Sequence, residues 1–383
     1  MDRLRAASGD RIVIPFARPL TQYLAHRAAI DAALRRALES GQYILGSEVA
    51  HFERSFAAYC GREFGIAVNS GTDALILALK ALGVGHGDEV VTVSHTALAT
   101  VAAVLAADAV PVLVDVDPEY YTLDPAQLLD AVTVRTKVIL PVHLYGQSAD
   151  MNAIMEFAQV RGLAVIEDCA QAAGGSFRGK PLGSFGYAAC YSFFPTKNLG
   201  AIGDGGMVVT SDANLAEAVR RSRQYGWDDS RQTQAAGVNS RLDEIQAAVL
   251  SAKLPTLDAG NARRAAIAER YTTAFESLPL KAPAIRAGSC HAFHLYVVAC
   301  EQRDGLRRHL AGAGIDAGIH YPRPVHRHGG YAERVRLASE LPTTEMLADR
   351  VLSLPIYPEL KDSDAARVID AVREFFSSEG AHV

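Results

Sequence analysis

Short apolar runs alternate along the chain with longer segments of helical period, and residues typical of turns separate them from Gly65 onward. The apolar runs predict strands at 89–93, 112–116, 137–142 and 164–167. The segments between them predict helices at 72–82, 97–107, 125–132 and 151–161. Because the strands are rich in Val and Ile, they are typical of a sheet buried on both faces. The pattern predicts an α/β fold with its functional residues at the carboxyl ends of the strands.

The pattern continues beyond residue 187 and then changes character. The elements predicted there are strands at 188–193, 206–210 and 293–298 and helices at 214–223, 241–257, 262–275 and 304–313. At 383 residues, the chain exceeds the roughly 250–300 residues at which a single core stops growing. We therefore predict a large domain, 1–255, which begins with an N-terminal arm, 1–25, and a smaller C-terminal α+β domain, 256–383.

Composition and charge narrow the class of partner. The chain is 49% hydrophobic and carries a formal net charge of -5 at pH 7, with both signs interspersed. It offers no basic stripe for nucleic acid and no polybasic patch for a membrane. Charges interrupt the N-terminus, unlike a signal peptide, and the longest apolar run, 97–107, is too short to span a bilayer. We predict a cytoplasmic protein whose partner is a small molecule.

Neither the cysteines nor the histidines predict a metal site. The chain has 5 Cys, without a C-x-x-C pair, which favours buried free thiols over a disulfide framework. Two histidine pairs, His291 with His294 and His326 with His328, have no Cys or carboxylate at ligand spacing. We therefore predict no metal.

The segment YSFFPTKNLGAIGDGG, 191–206, places Lys197 among apolar and small residues just after a predicted strand. A lone lysine in a loop is usually a surface residue. Here the neighbouring Phe193, Phe194 and Leu199 favour partial desolvation, which lowers the pKa of an amine and makes it available to attack a carbonyl. Lys197 is therefore a candidate for Schiff-base chemistry.

Asp168 ends the predicted strand AVIED, and Gln171 follows three residues later. A carboxylate in that place could cap the next segment. In a pyridoxal-phosphate (PLP) site, a carboxylate beside the pyridine nitrogen keeps that nitrogen protonated, so that the ring can accept electrons from a substrate carbanion. The second interpretation requires a lysine in the same site, and Lys197 is the candidate.

Small polar residues Ser70, Gly71 and Thr72 open the predicted helix DALILALKAL. The N–H groups at such a helix start bind anions and could hold a cofactor phosphate, although an ordinary helix cap has the same composition. Ser192, five residues before Lys197, could add a hydroxyl group. The glycines of GAIGDGG fit neither the dinucleotide-binding nor the P-loop pattern.

Motifs over nearly the whole chain resemble those of the DegT/DnrJ/EryC1/StrS family of sugar aminotransferases. They stand in the order GQYILGSEVAHFERSFAAYCG, NSGTDALILALKALGVGHGDEV, PVLVDVD, PVHLYGQ, VIEDCAQAAGG, YSFFPTKNLGAIGDGGMVVTSD, GVNSRLDEIQAAVL and VLSLPIYPEL. The resemblance implies the fold of a PLP-dependent transferase of fold type I. In that fold a mostly parallel, seven-stranded sheet forms the large domain.

The resemblance also implies roles for individual residues. Lys197 would form the Schiff base with PLP, Asp168 would pair with the pyridine nitrogen, and Gln171 would lie on the side of the ring hydroxyl. The phosphate would be held by Ser70, Gly71, Thr72 and Ser192. Asn239 would reach the phosphate of a neighbouring subunit, which implies a homodimer with shared active sites.

The loop HYPRPVHRH, 320–328, matches a family segment near the sugar, so His320, Tyr321 and His326 are candidate substrate contacts. A proline-stiffened connection between domains is the alternative. Many relatives carry an aromatic residue at the position of Ala97, where it stacks on the cofactor. His95 is the candidate replacement, although it is two residues away on the same strand face.

The expected function is transfer of an amino group from L-glutamate, by way of PLP and pyridoxamine phosphate (PMP), to a nucleotide-linked keto sugar. One alternative is a PLP- or PMP-dependent sugar dehydratase. Dehydratases of this family carry a histidine at the position of Lys197. Another alternative is a non-catalytic sensor on the same fold. The sugar, its nucleotide, the ring position and the stereochemistry depend on the shape of the site, which one sequence does not specify.

Overall fold

The structure is a computed structural model that describes residues 14–233 and 235–379. Elements in the first part are α1 (Pro19–Ala25), α2 (Arg27–Glu39), α3 (Ser47–Tyr59), β1 (Phe64–Val68), α4 (Gly71–Ala81), β2 (Glu89–Val93), α5 (Leu98–Ala106), β3 (Val110–Val114), α6 (Leu128–Ala131), β4 (Thr136–Ile139), α7 (Met151–Arg161) and β5 (Ala164–Asp168). The alternation of strand and helix from β1 onward is the one that the apolar pattern predicts.

The second part is less regular. Its elements are β6 (Ser176–Phe177), β7 (Lys180–Pro181), β8 (Ala188–Ser192), β9 (Gly206–Thr210), α8 (Ala213–Ser222), α9 (Glu244–Lys253), α10 (Leu257–Phe275), β10 (Ser289–Cys290), β11 (Tyr296–Ala299), α11 (Arg303–Gly312), β12 (Arg336–Leu337), α12 (Pro342–Arg350), β13 (Val351–Leu354) and α13 (Asp362–Glu379). The predicted N-terminal arm includes α1, and its residues 1–13 lie outside the described part of the chain.

The main sheet has the strand order β1-β9-β8-β5-β4-β2-β3-β12. All paired neighbours are parallel except β9, which is antiparallel to both β1 and β8. Side chains of β2 alternate between two core clusters, one on each face of the sheet. The α/β fold with a mostly parallel sheet is therefore confirmed, and burial on both faces explains the strands rich in Val and Ile.

Residues 1–255 supply the seven strands that the resemblance implies for the large domain, and the described sheet has 8 because one more strand joins it. The additional strand, β12, comes from the predicted small domain and pairs with β3. Arg336 in β12 donates hydrogen bonds to the Glu89 carboxylate and to the Ala131 carbonyl. Strand β12 has only two residues, which is too short to show the alternation of apolar and polar positions that predicts a strand. The sequence pattern therefore could not indicate it.

A separate cluster of buried residues lies in the C-terminal region. It joins residues of α10, β11, α11, β13 and α13 with Ile14 from the N-terminal side. The predicted division at residue 256 remains a prediction. The carboxyl ends of β5 and β8 meet at one edge of the main sheet, and this edge carries the site described next.

Candidate active site

Lys197 lies in the loop that leads from β8 to β9. The loop is closed by backbone hydrogen bonds from Phe193 to Gly205 (2.8 Å) and from Ala201 to Phe193 (2.8 Å). The Lys197 N–H donates to the carbonyl of Phe194 at 2.8 Å. These bonds fix the backbone that carries Lys197 at the sheet edge.

The side chain of Lys197 enters a cavity of about 370 Å³. The Lys197 side chain is surrounded by protein, and its remaining accessible surface faces this cavity. Desolvation lowers the pKa of Lys197 to about 8, and the negative charge of Asp168 limits the decrease. No described residue accepts a hydrogen bond from its Nζ. Roughly a tenth of this amine is therefore neutral near pH 7, far more than of an ordinary lysine, which suits attack on a carbonyl.

Asp168 ends β5 in the same cavity and is 4% exposed. Its Oδ2 accepts a hydrogen bond from the Thr100 hydroxyl at 2.9 Å, and its Oδ1 accepts one from the Ala170 N–H at 3.1 Å. Burial raises the pKa of Asp168, whereas these hydrogen bonds and Lys197 act in the opposite direction. The carboxylate is thus held in one orientation at the edge of the sheet.

The start of α4 forms another wall of the cavity. Ser70 caps the helix, since its Oγ accepts a hydrogen bond from the Asp73 N–H at 3.1 Å. Gly71 lies against Ser192, and a Cβ at Gly71 would stand 2.7 Å from the Cβ of Ser192. Only glycine allows the end of β8 to approach the helix start so closely. The N–H groups of Gly71 and Thr72 remain available for an anion.

The glycines after Lys197 also allow close packing, here of β9 against the start of α4. Gly206 pairs with Ser192 in the sheet, and a Cβ at Gly206 would overlap the backbone of Ser70. A Cβ at Gly205 would stand 2.9 Å from Leu242. The pattern GDGG therefore lets β9 pass beside the helix start, which explains glycines that fit no nucleotide-binding motif.

Gln171 is held beside Asp168 through both ends of its amide. Its Oε1 accepts a hydrogen bond from the Tyr145 N–H at 2.6 Å, and its Nε2 donates to the Tyr321 hydroxyl at 3.1 Å. Most of the residues predicted for the site line this one cavity, namely Ser70, Gly71, Thr72, Asp168, Gln171, Ser192, Lys197, His320 and Tyr321.

Three predicted residues do not line the cavity. His95 is buried behind it, where its Nε2 lies 2.8 Å from the Tyr145 hydroxyl, while Ala97 lines the cavity. His326 lies 2.8 Å from the Ser94 hydroxyl and 3.2 Å from Glu345. Asn239 is exposed and lies away from the cavity of its own chain. The structure does not bring the His95 ring to a position where it could stack in this cavity.

Sequence reasoning missed Thr100 and His294. Thr100 lies in the first turn of α5, four residues after Thr96, which precedes the helix, and their hydroxyls lie 3.0 Å apart. This spacing was the only signal, and it does not specify a carboxylate partner. His294 lines the cavity, and burial together with the charge of Lys197 holds its pKa well below the usual range. We interpret His294 as a neutral histidine beside the lysine.

A buried group of His143, Glu167 and Cys169 has metal-ligand atoms within 4.8 Å of one another. His143 Nε2 lies 3.0 Å from Glu167 Oε2. The Glu167 oxygens also accept hydrogen bonds from the N–H groups of Gly183, Phe185 and Gly186. The carboxylate is thus saturated by protein donors, and we interpret this group as a structural support behind Asp168.

These residues fit a PLP site. The cavity places an unbonded, desolvated amine, a fixed carboxylate and a helix start shaped by glycine at the carboxyl edge of one mostly parallel sheet. Such an arrangement can hold a carbonyl, a pyridine nitrogen and a phosphate of one cofactor. The fold and the site define a PLP-dependent enzyme of fold type I.

Comparison with known proteins identifies the family. The model of the DegT/DnrJ/EryC1/StrS aminotransferase family matches residues 25–373. The chain therefore belongs to this family, as its motifs predict. Within the described residues, no helix has both the length and the apolar character needed to cross a membrane.

Individual relatives are similar over almost their full length. The dTDP-3-amino-3,4,6-trideoxy-alpha-D-glucose transaminase of Streptomyces venezuelae is 47% identical over 363 residues, which cover 94% of this chain and 96% of that protein. The erythromycin biosynthesis sensory transduction protein EryC1 of Saccharopolyspora erythraea is 48% identical, with 94% and 99% covered. The crystal structure of S. venezuelae DesV in complex with a ketimine intermediate has a TM-score of 0.92 and 48% identity, with 94% and 98% covered.

Proposed function

We propose that this protein transfers an amino group from L-glutamate to the keto group of a nucleotide-linked sugar or deoxysugar. The single observation that carries the proposal is the pairing of Lys197 with Asp168 in one cavity. The named activity of the S. venezuelae relative, a transaminase of a dTDP-linked amino sugar, supports the choice of substrate class. The nucleotide and the ring position stay open.

Bound PLP supplies a carbonyl for the amine of the substrate and a ring that withdraws electrons from the reacting carbon. Asp168 would keep a proton on the pyridine nitrogen, while the start of α4 and Ser192 would bind the phosphate. Lys197 would attach the cofactor as a Schiff base. The Lys197 Nζ would also accept and return a proton at the substrate carbon, because its pKa of about 8 lies close to neutral pH.

The acceptor would enter beside the 320–328 loop. His320 and Tyr321 line the cavity, and Tyr321 is tied to Gln171. His326 is bound to Ser94 and Glu345, so it would act at the edge of this loop rather than inside the cavity. These are the residues from which we expect contacts to the sugar.

We also propose a cytoplasmic homodimer in which Asn239 reaches the phosphate in the partner subunit. The exposed position of Asn239, outside its own cavity, supports this assignment. The variant Asn239→Ala should bind PLP more weakly while Lys197 remains intact. Measuring cofactor affinity together with molecular mass in solution separates loss of the contact from loss of the dimer.

A sensor function is the second candidate, because one relative is named a sensory transduction protein. The intact Lys197 and Asp168 favour turnover instead. They also disfavour the dehydratase alternative, in which a histidine takes the place of the lysine.

The decisive test follows the cofactor spectrum of the purified protein. Addition of L-glutamate should convert the PLP absorbance into that of PMP, and a nucleotide-linked keto sugar should restore it. Conversion by glutamate without restoration by any keto sugar would retain the aminotransferase and reject the sugar substrate. Failure to bind PLP at all would favour the sensor.

A further inference from the structure

A second cavity, of about 350 Å³, lies on the other side of the loop that carries Lys197. Asn198 and Leu199 contribute to its wall, and so do residues of α1 and α10. Its charged lining is separate from the residues assigned to the cofactor. Two buried cationic side chains in this lining have hydrogen-bond donors that no described residue accepts.

Arg264 in α10 is the most unusual of these side chains, because it is charged and only 2% exposed. Its Nη1 donates hydrogen bonds to the carbonyls of Ile356 (2.8 Å) and Phe293 (3.2 Å). In the described part of the chain, no carboxylate lies within ion-pair distance, and no residue accepts a hydrogen bond from its Nε or Nη2. Three N–H groups of Arg264 therefore make no hydrogen bond to the described residues, and a guanidinium with such groups can bind an anion.

Lys253 lines the same cavity and is 8% exposed. Its Nζ donates to Gln22 Oε1 at 2.7 Å and to the carbonyl of Gly200. An ammonium group has three donors, so one N–H remains open. Among the described residues, no carboxylate forms an ion pair with Lys253 either. The cavity thus holds two buried cations without direct counter-ions.

One acidic residue, Glu359, completes the charge pattern of the lining. Burial lowers the pKa of both Arg264 and Lys253, and the negative charge of Glu359 acts in the opposite direction. The Oε2 of Glu359 is buried without a hydrogen-bond donor. Arg263 also lines the cavity but is paired with Asp362 at 2.7 Å. The unpaired charges are therefore two positive and one negative.

We propose that this cavity is a second binding site, and that its ligand is a small dicarboxylic amino acid. Two carboxylates would meet Arg264 and Lys253, and the ammonium group would meet Glu359. This is the ligand class whose charges mirror those of the wall. Because Asn198 and Leu199 follow Lys197 directly, the ligand would lie against the loop of the catalytic lysine.

Calorimetric titration of the PMP-loaded enzyme tests the site, because an amino donor cannot transfer its amine to a cofactor that is already aminated. L-Glutamate should bind saturably, and glutarate, which lacks the ammonium group, should bind about tenfold more weakly. The variant Glu359→Gln should remove this preference for glutamate and leave glutarate affinity unchanged or higher. Equal weakening of both ligands by Glu359→Gln, or no saturable binding to the wild type, overturns the proposal.

Gly260 offers a matched pair of variants that leaves the catalytic residues intact. It lines the cavity, and a Cβ there would meet Pro358 at an ordinary contact distance of 3.4 Å. Gly260→Glu should weaken glutamate binding at least tenfold by placing a carboxylate beside the cations, whereas Gly260→Gln should weaken it much less. Binding that neither variant changes would assign the heat to the main cavity and reject the second site. Heat measures this binding without turnover, so the proposal can fail independently of the amino transfer.

Discussion

Two buried lysines, Lys197 and Lys253, show how little of an active site a pKa alone describes. Desolvation lowers the pKa of each to about 8. Lys253, at the end of α9, donates hydrogen bonds to Gln22 and Gly200. Lys197 has no such acceptor among the described residues and faces Asp168 across an open cavity. A catalytic amine is therefore distinguished by its free donors and its neighbours, since burial is common to both.

The largest expected effect follows from removing the free amine of Lys197. Lys197→Ala should lose the visible absorbance of the attached cofactor and reduce turnover about 10³-fold or more, because both attachment and proton transfer depend on it. Lys253→Met, which removes the other amine, should keep that absorbance. Spectra and steady-state rates of the two variants test the comparison, and equal loss of absorbance in both would break it.

Asp168→Asn should have the next largest effect. The amide has nearly the same shape but cannot hold a proton on the pyridine nitrogen, so kcat should fall about 10²-fold or more while cofactor is still bound. Asp204→Asn removes a different carboxylate from the same cavity wall. An equal loss of kcat in Asp204→Asn would show that total charge matters, rather than the position of Asp168.

Thr100→Val should cost less, because it removes one hydrogen bond to the Asp168 carboxylate. Such a bond contributes about 1.5–3 kcal/mol, of which we expect about half to act in the transition state, so kcat should fall several-fold to about tenfold. Thr100→Ser keeps the hydroxyl and should restore most of the rate. Should valine and serine behave alike, the contribution of Thr100 would be packing only.

The last expected effect concerns stability against pH in the cofactor-free protein rather than turnover. A lysine with a folded pKa of about 8 and an ordinary pKa of 10.5 binds fewer protons folded than unfolded between these values. The contribution of Lys253 to the free energy of unfolding therefore rises with pH across this window. Denaturant titrations should show the wild type gaining stability relative to Lys253→Met from pH 8 to 10.5. Buried thiols and phenols titrate in both proteins and cancel, so a constant difference would contradict the lowered pKa.

The sequence predicted the large sheet and the residues at its edge because these features are local. Strand β2 follows from apolar residues at 89–93, and Lys197 and Asp168 each stand next to a strand end. Parallel strands then bring their carboxyl ends together without further information.

Other features depend on contacts between distant segments. Strand β12 is held by Glu89, about 250 residues earlier in the chain. Thr100 and Asp168 meet across 68 positions. The His95 ring lies outside the cavity, where it forms a hydrogen bond with the Tyr145 hydroxyl. No periodicity or spacing records such pairs, so only the folded structure reveals them.

The most direct test of the central claim is to identify which lysine carries the cofactor. The PLP-loaded protein would be reduced with borohydride, digested and examined by mass spectrometry for the modified peptide. The account predicts a pyridoxyl group on Lys197, with Lys253 unmodified although burial also lowers its pKa to about 8. A pyridoxyl group on Lys253, or an unmodified Lys197 in protein that is saturated with PLP, would contradict it.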